Sequence, residues 1–284
     1  MSYLLFFRLF TLLVVIGISG CSVNNPPYTS MSLMRFESPE LSEKPLTTQL
    51  HFSVSEERQF TLSNNAEPEV TYGCSYRPAS ATRPATYNQC KQEYNVYRGA
   101  VAVAPGLEFT YTKHATHRVS VKHQFAGQYR EAAGSGNWSQ AVVAGYNWQQ
   151  ADFADELRFE LISPTGGSSN GVQTNSWQQK TTGYDIGYVL GYRASPSLLI
   201  YGGPYLYKGA LKGEQILTIA VDNGQTQRIF DLKSSGQQLG ANLALQFNLG
   251  QHFILQTELV SSQLRWQDAK KTASQFNVMV GVQF

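Results

Sequence analysis

The sequence predicts an all-β protein, a membrane-spanning antiparallel up-and-down β-barrel of about ten strands, with eight or twelve as neighbouring values. Three observations carry this. The chain has 284 residues, enough for one β domain of ~200–250 residues with a short extension. Charged residues make up only 15%, aromatic residues reach 12%, and glycines number 24, where a soluble domain carries about 25% charged residues. Few charges with many aromatics and glycines suit a barrel whose outside faces lipid. The third observation is strict period-2 alternation, clearest in the last twelve residues. Phe276, Val278, Val280, Val282 and Phe284 share one face, while Gln275, Asn277, Gly281 and Gln283 share the other.

A strand of that pattern, ending the chain on an aromatic residue, resembles the closing strand of bacterial outer-membrane β-barrels. The resemblance covers most of the chain and is to a class, with no specific family. It implies outer-membrane lipid and the barrel-assembly machinery as partners, the latter reached through Phe284. It also implies that both ends of the barrel lie at the periplasmic rim. Backbone chemistry agrees, since in lipid only a closed sheet leaves no unpaired edge.

The strands follow in order. Leu50, Phe52 and Val54 mark a first strand or a small hairpin outside the barrel. Leu107, Phe109 and Tyr111 face out against Glu108, Thr110 and Thr112, and Pro105-Gly106 kinks one strand or turns between two. A turn at His114–His117, expected at the periplasmic rim, leads to Val119, Val121, His123 and Phe125. Trp138 to Trp148 forms a strand, and a turn near Asp152 and Asp155 separates it from Leu157, Phe159 and Leu161. Tyr184, Ile186, Tyr188, Leu190 and Tyr192 make the next outward row. Past Ser195-Pro196, Leu199, Tyr201, Tyr205 and Tyr207 are expected outside as well. Leu239 to Leu249 runs to a turn at Gly250-Gln251, and Phe253 to Leu259 runs back. The closing strand follows a loop at Gln263–Thr272. From Glu108 this makes nine strands, with one more before them. Short turns thus alternate with long loops, the outer-membrane pattern. A soluble β-sandwich tethered by lipid is the competing architecture; strands of about ten residues and nearly uncharged aromatic rows speak against it.

The N-terminus reads as an address. An apolar run from Leu9 to Ile18 behind Arg8 is a signal peptide over residues 1–20. Ile18-Ser19-Gly20-Cys21 resembles the lipobox of bacterial lipoproteins, with Cys21 as lipidation site and Ser22 favouring the outer membrane; the alternative is an ordinary secretory peptide with a chance cysteine. Residues 21–47, rich in Asn, Pro, Ser and Thr, are expected to be a lipidated periplasmic tether, leaving 48–284 as the barrel. In an oxidising compartment Cys74 and Cys90 are expected to form a disulfide stapling loop 63–93, a contribution of roughly 3 kcal/mol.

Inward polar rows place Glu108, Glu156, Glu160, Asp185 and Glu258 in the lumen against Arg118, Lys122, Arg158, Arg193 and Lys208. Five acids facing five bases predict an ion-pair network filling a small barrel. A narrow solute pathway is the sharper alternative. No catalytic residue, metal site or cofactor is expected. The five histidines (His51, His114, His117, His123 and His252) lack a Ser-and-acid pattern, and metal, phosphate-loop and dinucleotide spacings are absent. A net charge of +2 gives a nucleic-acid partner no electrostatic support. The expected role is a non-enzymatic envelope lipoprotein that binds a protein or polysaccharide through loops 63–93, 163–181 and 209–236; a narrow channel and a lipid-modifying enzyme are the alternatives.

Overall fold

The computed structural model describes residues 28–30, 35–57, 59–61, 76–77, 86–87, 92–114, 116–162, 168–221, 224–250, 252–266 and 269–284. Cys21, Cys74 and Cys90, with the expected signal peptide and most of the loop expected to be stapled, lie outside these residues.

Ten antiparallel strands close into a barrel. They are β1 (Thr48–Glu57), β2 (Gln92–Ala104), β3 (Leu107–Lys113), β4 (His117–Ala126) and β5 (Trp138–Ile162). The second half holds β6 (Ser168–Ser195), β7 (Leu198–Val221), β8 (Gly224–Leu249), β9 (Phe253–Trp266) and β10 (Ala269–Gln283). Each strand pairs with its neighbours in sequence, and β10 returns to β1 through Gln49↔Gln283 to Ser53↔Met279. Phe284 N donates to Thr48 O at 3.0 Å and Thr48 N to Phe284 O at 3.2 Å, sealing the junction. Two short ladders stand apart from the barrel: Tyr28–Ser30 with Gln59–Thr61, and Tyr76–Arg77 with Thr86–Tyr87.

The strand number agrees with expectation through two compensating differences. Pro105-Gly106 is a turn between β2 and β3, with Gly106 at φ +69°, so one more strand precedes it than the sequence suggested. The turn expected near Asp152 and Asp155 does not exist, because β5 runs unbroken for 25 residues. The extra strand reverses the direction of β3. The turn at 114–116 therefore lies at the far rim, opposite Thr48, Phe284 and the turns at 105–106, 196–197 and 250–252, which share the closing rim.

The loops expected at 163–181 and 209–236 are strands for most of their length. β5 pairs with β6 out to Ile162↔Ser168, and β7 with β8 out to Val221↔Gly224. β4 stops at His117↔Trp148 and β9 at Trp266↔Gly236. Above those levels β5 to β8 stand as a four-stranded flap. Polar residues pair across strands in it, as in Thr174↔Thr218 and Thr218↔Gln227. Over 168–181 and 224–238 the sequence is dominated by Ser, Asn, Gln, Thr and Gly, so these strands lack the period-2 signature that betrays the others.

Side chains alternate between wall and lumen. Ile186, Leu243 and Phe253 are 57%, 57% and 61% exposed and belong to an apolar outer belt that circles the barrel. On β6 the belt runs from Tyr184 to Ala194 and on β8 from Leu239 to Leu249. At ~3.4 Å per residue and a tilt of ~40° such runs stand about 25 Å tall. Trp138 and Tyr192 meet near the closing rim, ring centroids 4.7 Å apart, and Tyr146 stacks near Trp148 on the opposite side.

Strand β7 inverts the sequence expectation. Leu199, Tyr201, Tyr205 and Tyr207 are buried in the lumen, and Lys208 is exposed. The register dictates this: Tyr207 pairs with inward Asp185, and Lys208 pairs with outward Tyr184. Lys208 thus sits at the upper border of the belt, where a long stem covers apolar surface while its ammonium reaches water. The tyrosine rings fill the lumen, with Tyr205 carrying the Arg35 guanidinium 3.9 Å from its centroid.

Candidate functional site: an occupied lumen

A closed barrel lined with charge must match each of those charges, because an uncompensated ion buried from water is costly. Here the match comes from an unexpected source. Residues 36–42, expected as part of a tether, are all buried inside the barrel. The stretch descends from Arg35 near the far rim to Ser42 at the closing rim and then exits through residues 43–47 into β1.

The wall meets this stretch group by group. Near its top, Glu258 accepts the backbone N–H groups of Arg35 and Phe36, both at 2.9 Å, and is itself held by Asn242 Nδ2 at 2.6 Å. Arg35 Nη1 donates to Asp185 at 2.8 Å. Asp185 also receives Arg118 Nε at 3.0 Å, Arg118 Nη2 at 2.7 Å and Asn147 Nδ2 at 2.8 Å. Arg118 turns its remaining Nη1 to Glu37, and Arg98 donates to the carbonyl of Phe36. Bidentate Arg–carboxylate geometry of this kind is the strong form of the interaction.

Lower down, Glu40 is completely buried and paired with Arg193, which is 2% exposed. Arg193 Nε reaches Glu40 Oε2 at 2.9 Å, and its Nη1 donates to the Pro196 carbonyl at 2.8 Å. Asn137 Nδ2 adds a bond to Glu40 Oε1 at 3.0 Å. Leu41 N donates to Gln124 Oε1 at 2.7 Å, and Arg130 Nη2 to the Glu40 carbonyl at 2.9 Å. Gly191 leaves room for Pro39: a Cβ built there would lie 2.5 Å from Pro39 Cγ, so any larger residue would push the segment aside.

Of the ten residues expected to form a lumen network, six are buried there: Glu108, Arg118, Lys122, Asp185, Arg193 and Glu258. They form one wall–wall pair of the expected kind, Lys122 Nζ to Glu108 at 2.8 Å, and a second in Arg118 with Asp185. Their remaining contacts are divided between the inserted segment and further wall residues, Asn242 at Glu258, Asn147 at Asp185 and Arg98 at Glu108. Lys208 lies outside, as described above. Glu156, Arg158 and Glu160 fall in the distal half of β5, where the backbone alone is described. Sequence reasoning missed Arg98, Arg130 and the segment itself, while Gln124 lies in the inward row with Arg118 and Lys122 as alternation predicts. Arg35, Glu37 and Glu40 around Phe36 and Leu41 were the available signal, since a solvated tether has no use for that mixture.

A cavity of about 30 Å³ remains beside the upper end of the segment, lined by Arg35, Arg98, His114, Arg118 and Asn147 among others, room for a water or two. His51 is buried with Nε2 3.2 Å from Gln49 Oε1. His123 is exposed on the outer wall, its Nδ1 3.2 Å from the Gly106 carbonyl. No cluster of three metal-binding side chains occurs among the described residues. No protein-family model matches the chain, and no curated protein matches it.

At the closing rim, outside the strands, Glu131 clamps the exit of the segment by accepting from Ser42 Oγ and, at 2.9 Å, from Glu43 N. Partial burial pushes the Glu131 carboxyl up, but those two bonds, its own backbone and the nearby Arg130 outweigh it and hold the carboxyl below its ordinary value. A lowered carboxylate pKa stabilises above the ordinary value and is lost as pH falls through the lowered one. Protection of the Glu43 amide from hydrogen exchange should therefore fall as the solution is acidified through the carboxylate range, and Glu131→Gln should abolish that dependence.

Removing Glu40 leaves Arg193 without its buried partner, which costs about 3–5 kcal/mol where the charge stays desolvated. Glu40→Ala should deprotect the Leu41 and Phe36 amides, read by hydrogen exchange. The double variant Glu40→Leu/Arg193→Leu, with no charge to strand, should recover most of the protection.

Proposed function

We propose that this protein is an outer-membrane β-barrel lipoprotein without enzymatic activity, shut by its own N-terminal segment, which acts as an interaction component of the envelope through its projecting flap. The observation that carries the reading is the combination of a lumen filled by residues 36–42 with strands that continue well beyond the belt. A barrel needs only ~9–11 residues per strand to cross a bilayer, whereas β5 to β8 have 24 to 28. The surplus builds a sheet with two edges, residues 149–162 and 224–235, which pair on one side alone among the described residues. Exposed strand edges are templates for adding a further strand. A protein segment or an extended polysaccharide placed against that sheet is the partner chemistry it suits. The apolar belt of about 25 Å supports the membrane location, Cys21 supports the anchor, and Cys74 with Cys90 support a staple on the β1–β2 connection.

The narrow channel is the second reading, favoured by the polar character of the wall that holds the segment. Purified protein in planar bilayers should be electrically silent. Glu37→Gln/Glu40→Gln, which removes two of the segment's charged anchors, should give discrete conductance steps. Frequent steps from the unaltered protein would make the channel its primary role.

Shortening the β7–β8 hairpin by deleting residues 212–233 tests the interaction reading. The variant should keep the heat-dependent electrophoretic mobility of a closed barrel and lose the binding of intact cells to their surface partner. Unchanged binding, with the hairpin gone, would end the proposal.

A further inference from the structure

The direction of the inserted segment decides which side of the membrane the N-terminus occupies. Its order along the lumen is Arg35 at Asp185 and Glu258, Glu37 at Arg118, Glu40 at Arg193, Ser42 at Glu131. Asp185 lies ten residues up β6 from the closing turn at Ser195, while Arg193 lies two residues from it. The segment therefore runs from far rim to closing rim, with Arg35, where the described stretch begins, at its far-rim end. A second observation agrees. Tyr28–Ser30 pairs with Gln59–Thr61, which continues from the far-rim end of β1.

We infer that the chain is threaded through its own barrel, so that lipidated Cys21 anchors in the leaflet at the far rim, on the cell surface when the closing rim is periplasmic. This rests on the lipoprotein reading given above. Seven residue steps lead from Cys21 to Tyr28, a reach of at most ~25 Å. Returning to the leaflet at the closing rim would take that whole length outside the barrel, fully extended through lipid with every backbone group unpaired, which a bilayer does not tolerate. The lumen offers no second passage, since residues 36–42 fill it. The acyl chains then enter the membrane beside the flap, and the anchor and the interaction surface share one face.

The test uses the full chain in cells, in a Cys74→Ser/Cys90→Ser background, with a membrane-impermeant maleimide as the probe. Asn25→Cys should label in intact cells. Lys44→Cys, exposed at the closing rim, should label only after permeabilisation. Pro39→Cys/Gly191→Cys should oxidise to an intramolecular disulfide, visible as a mobility shift without reductant. Bridging Glu40→Cys/Arg193→Cys with a short bis-maleimide keeps this arm independent of crowding at Gly191. A heat-shifting barrel in which Asn25→Cys labels only after permeabilisation would overturn the threading and leave the barrel reading standing. Surface labelling without either cross-link would overturn passage through the lumen. Absence of any heat-dependent shift would instead sink the membrane barrel itself, and the threading with it.

Discussion

Charge matching inside a closed sheet governs this structure. Wall strands contribute Arg98, Arg118, Lys122 and Arg193 to the lumen against Glu108, Asp185 and Glu258, an excess of positive charge that the barrel does not cancel alone. Glu37 and Glu40 bring two carboxylates and Arg35 one cation, so the insert carries the single net negative charge that offsets the excess, with Arg35 sharing Asp185 with Arg118. Backbone groups obey the same logic: Glu258 takes two N–H groups of the segment, and Gln124 takes a third. A segment with no secondary structure of its own must have its donors and acceptors satisfied by something, and the inward polar rows do so. Barrel and insert are each incomplete without the other.

That dependence explains why the insert is polar. An apolar plug would be held by burial alone, with nothing to fix its register. Each pair here is specific to one height in the lumen, from Asp185 near the far rim to Arg193 near the closing rim, so a slip by one residue would break them together. Small residues fix the lateral position: Pro39 lies over Gly191, and a Cβ at Gly145 would come within 2.7 Å of Asp185 Oδ2 and 2.8 Å of Arg118 Nε. The aromatic side of the lumen, Tyr201, Tyr205 and Tyr207, fills the width that the charged side leaves, which is why those rings turn inward against a naive reading of their hydrophobicity.

Much of this was legible in the amino-acid sequence where one face of a strand was apolar. The outward rows on β3, β4, β6, β8, β9 and β10 stand where alternation puts them, as do inward Glu108, Arg118, Lys122, Asp185, Arg193 and Glu258. Strand β7 was inverted because tyrosine suits either a lipid interface or a crowded lumen, and only its register against Asp185 decides between them. The stretches 163–181 and 209–236 were read as loops because their Gly, Ser, Asn, Gln and Thr residues carry little hydrophobic period. The insert was read as a tether because Pro, Ser and Glu compose both solvated linkers and chains bonded side by side to a polar wall. Composition records whether a segment can bury apolar surface; of a burial satisfied by hydrogen bonds and ion pairs its trace here is the charge mixture of Arg35, Glu37 and Glu40.

Assembly follows from the same geometry. β10 closes against β1 through only a short ladder, Gln49↔Gln283 to Ser53↔Met279, while the segment contacts residues from β2, β4, β6 and β9 and the β4–β5 loop. Residues 43–47 join the insert directly to β1, and Leu46 N and Thr47 O bond Ala102 of β2 at 2.7 and 3.0 Å. The insert is therefore tethered to the seam that closes last in sequence order, since β1 must wait for β10. A chain that held residues 36–42 against the growing wall would present β1 at the right height when β10 arrives, with the lumen charges already matched. On that order of assembly the ion pairs that fill the finished barrel would also be the template on which it closes.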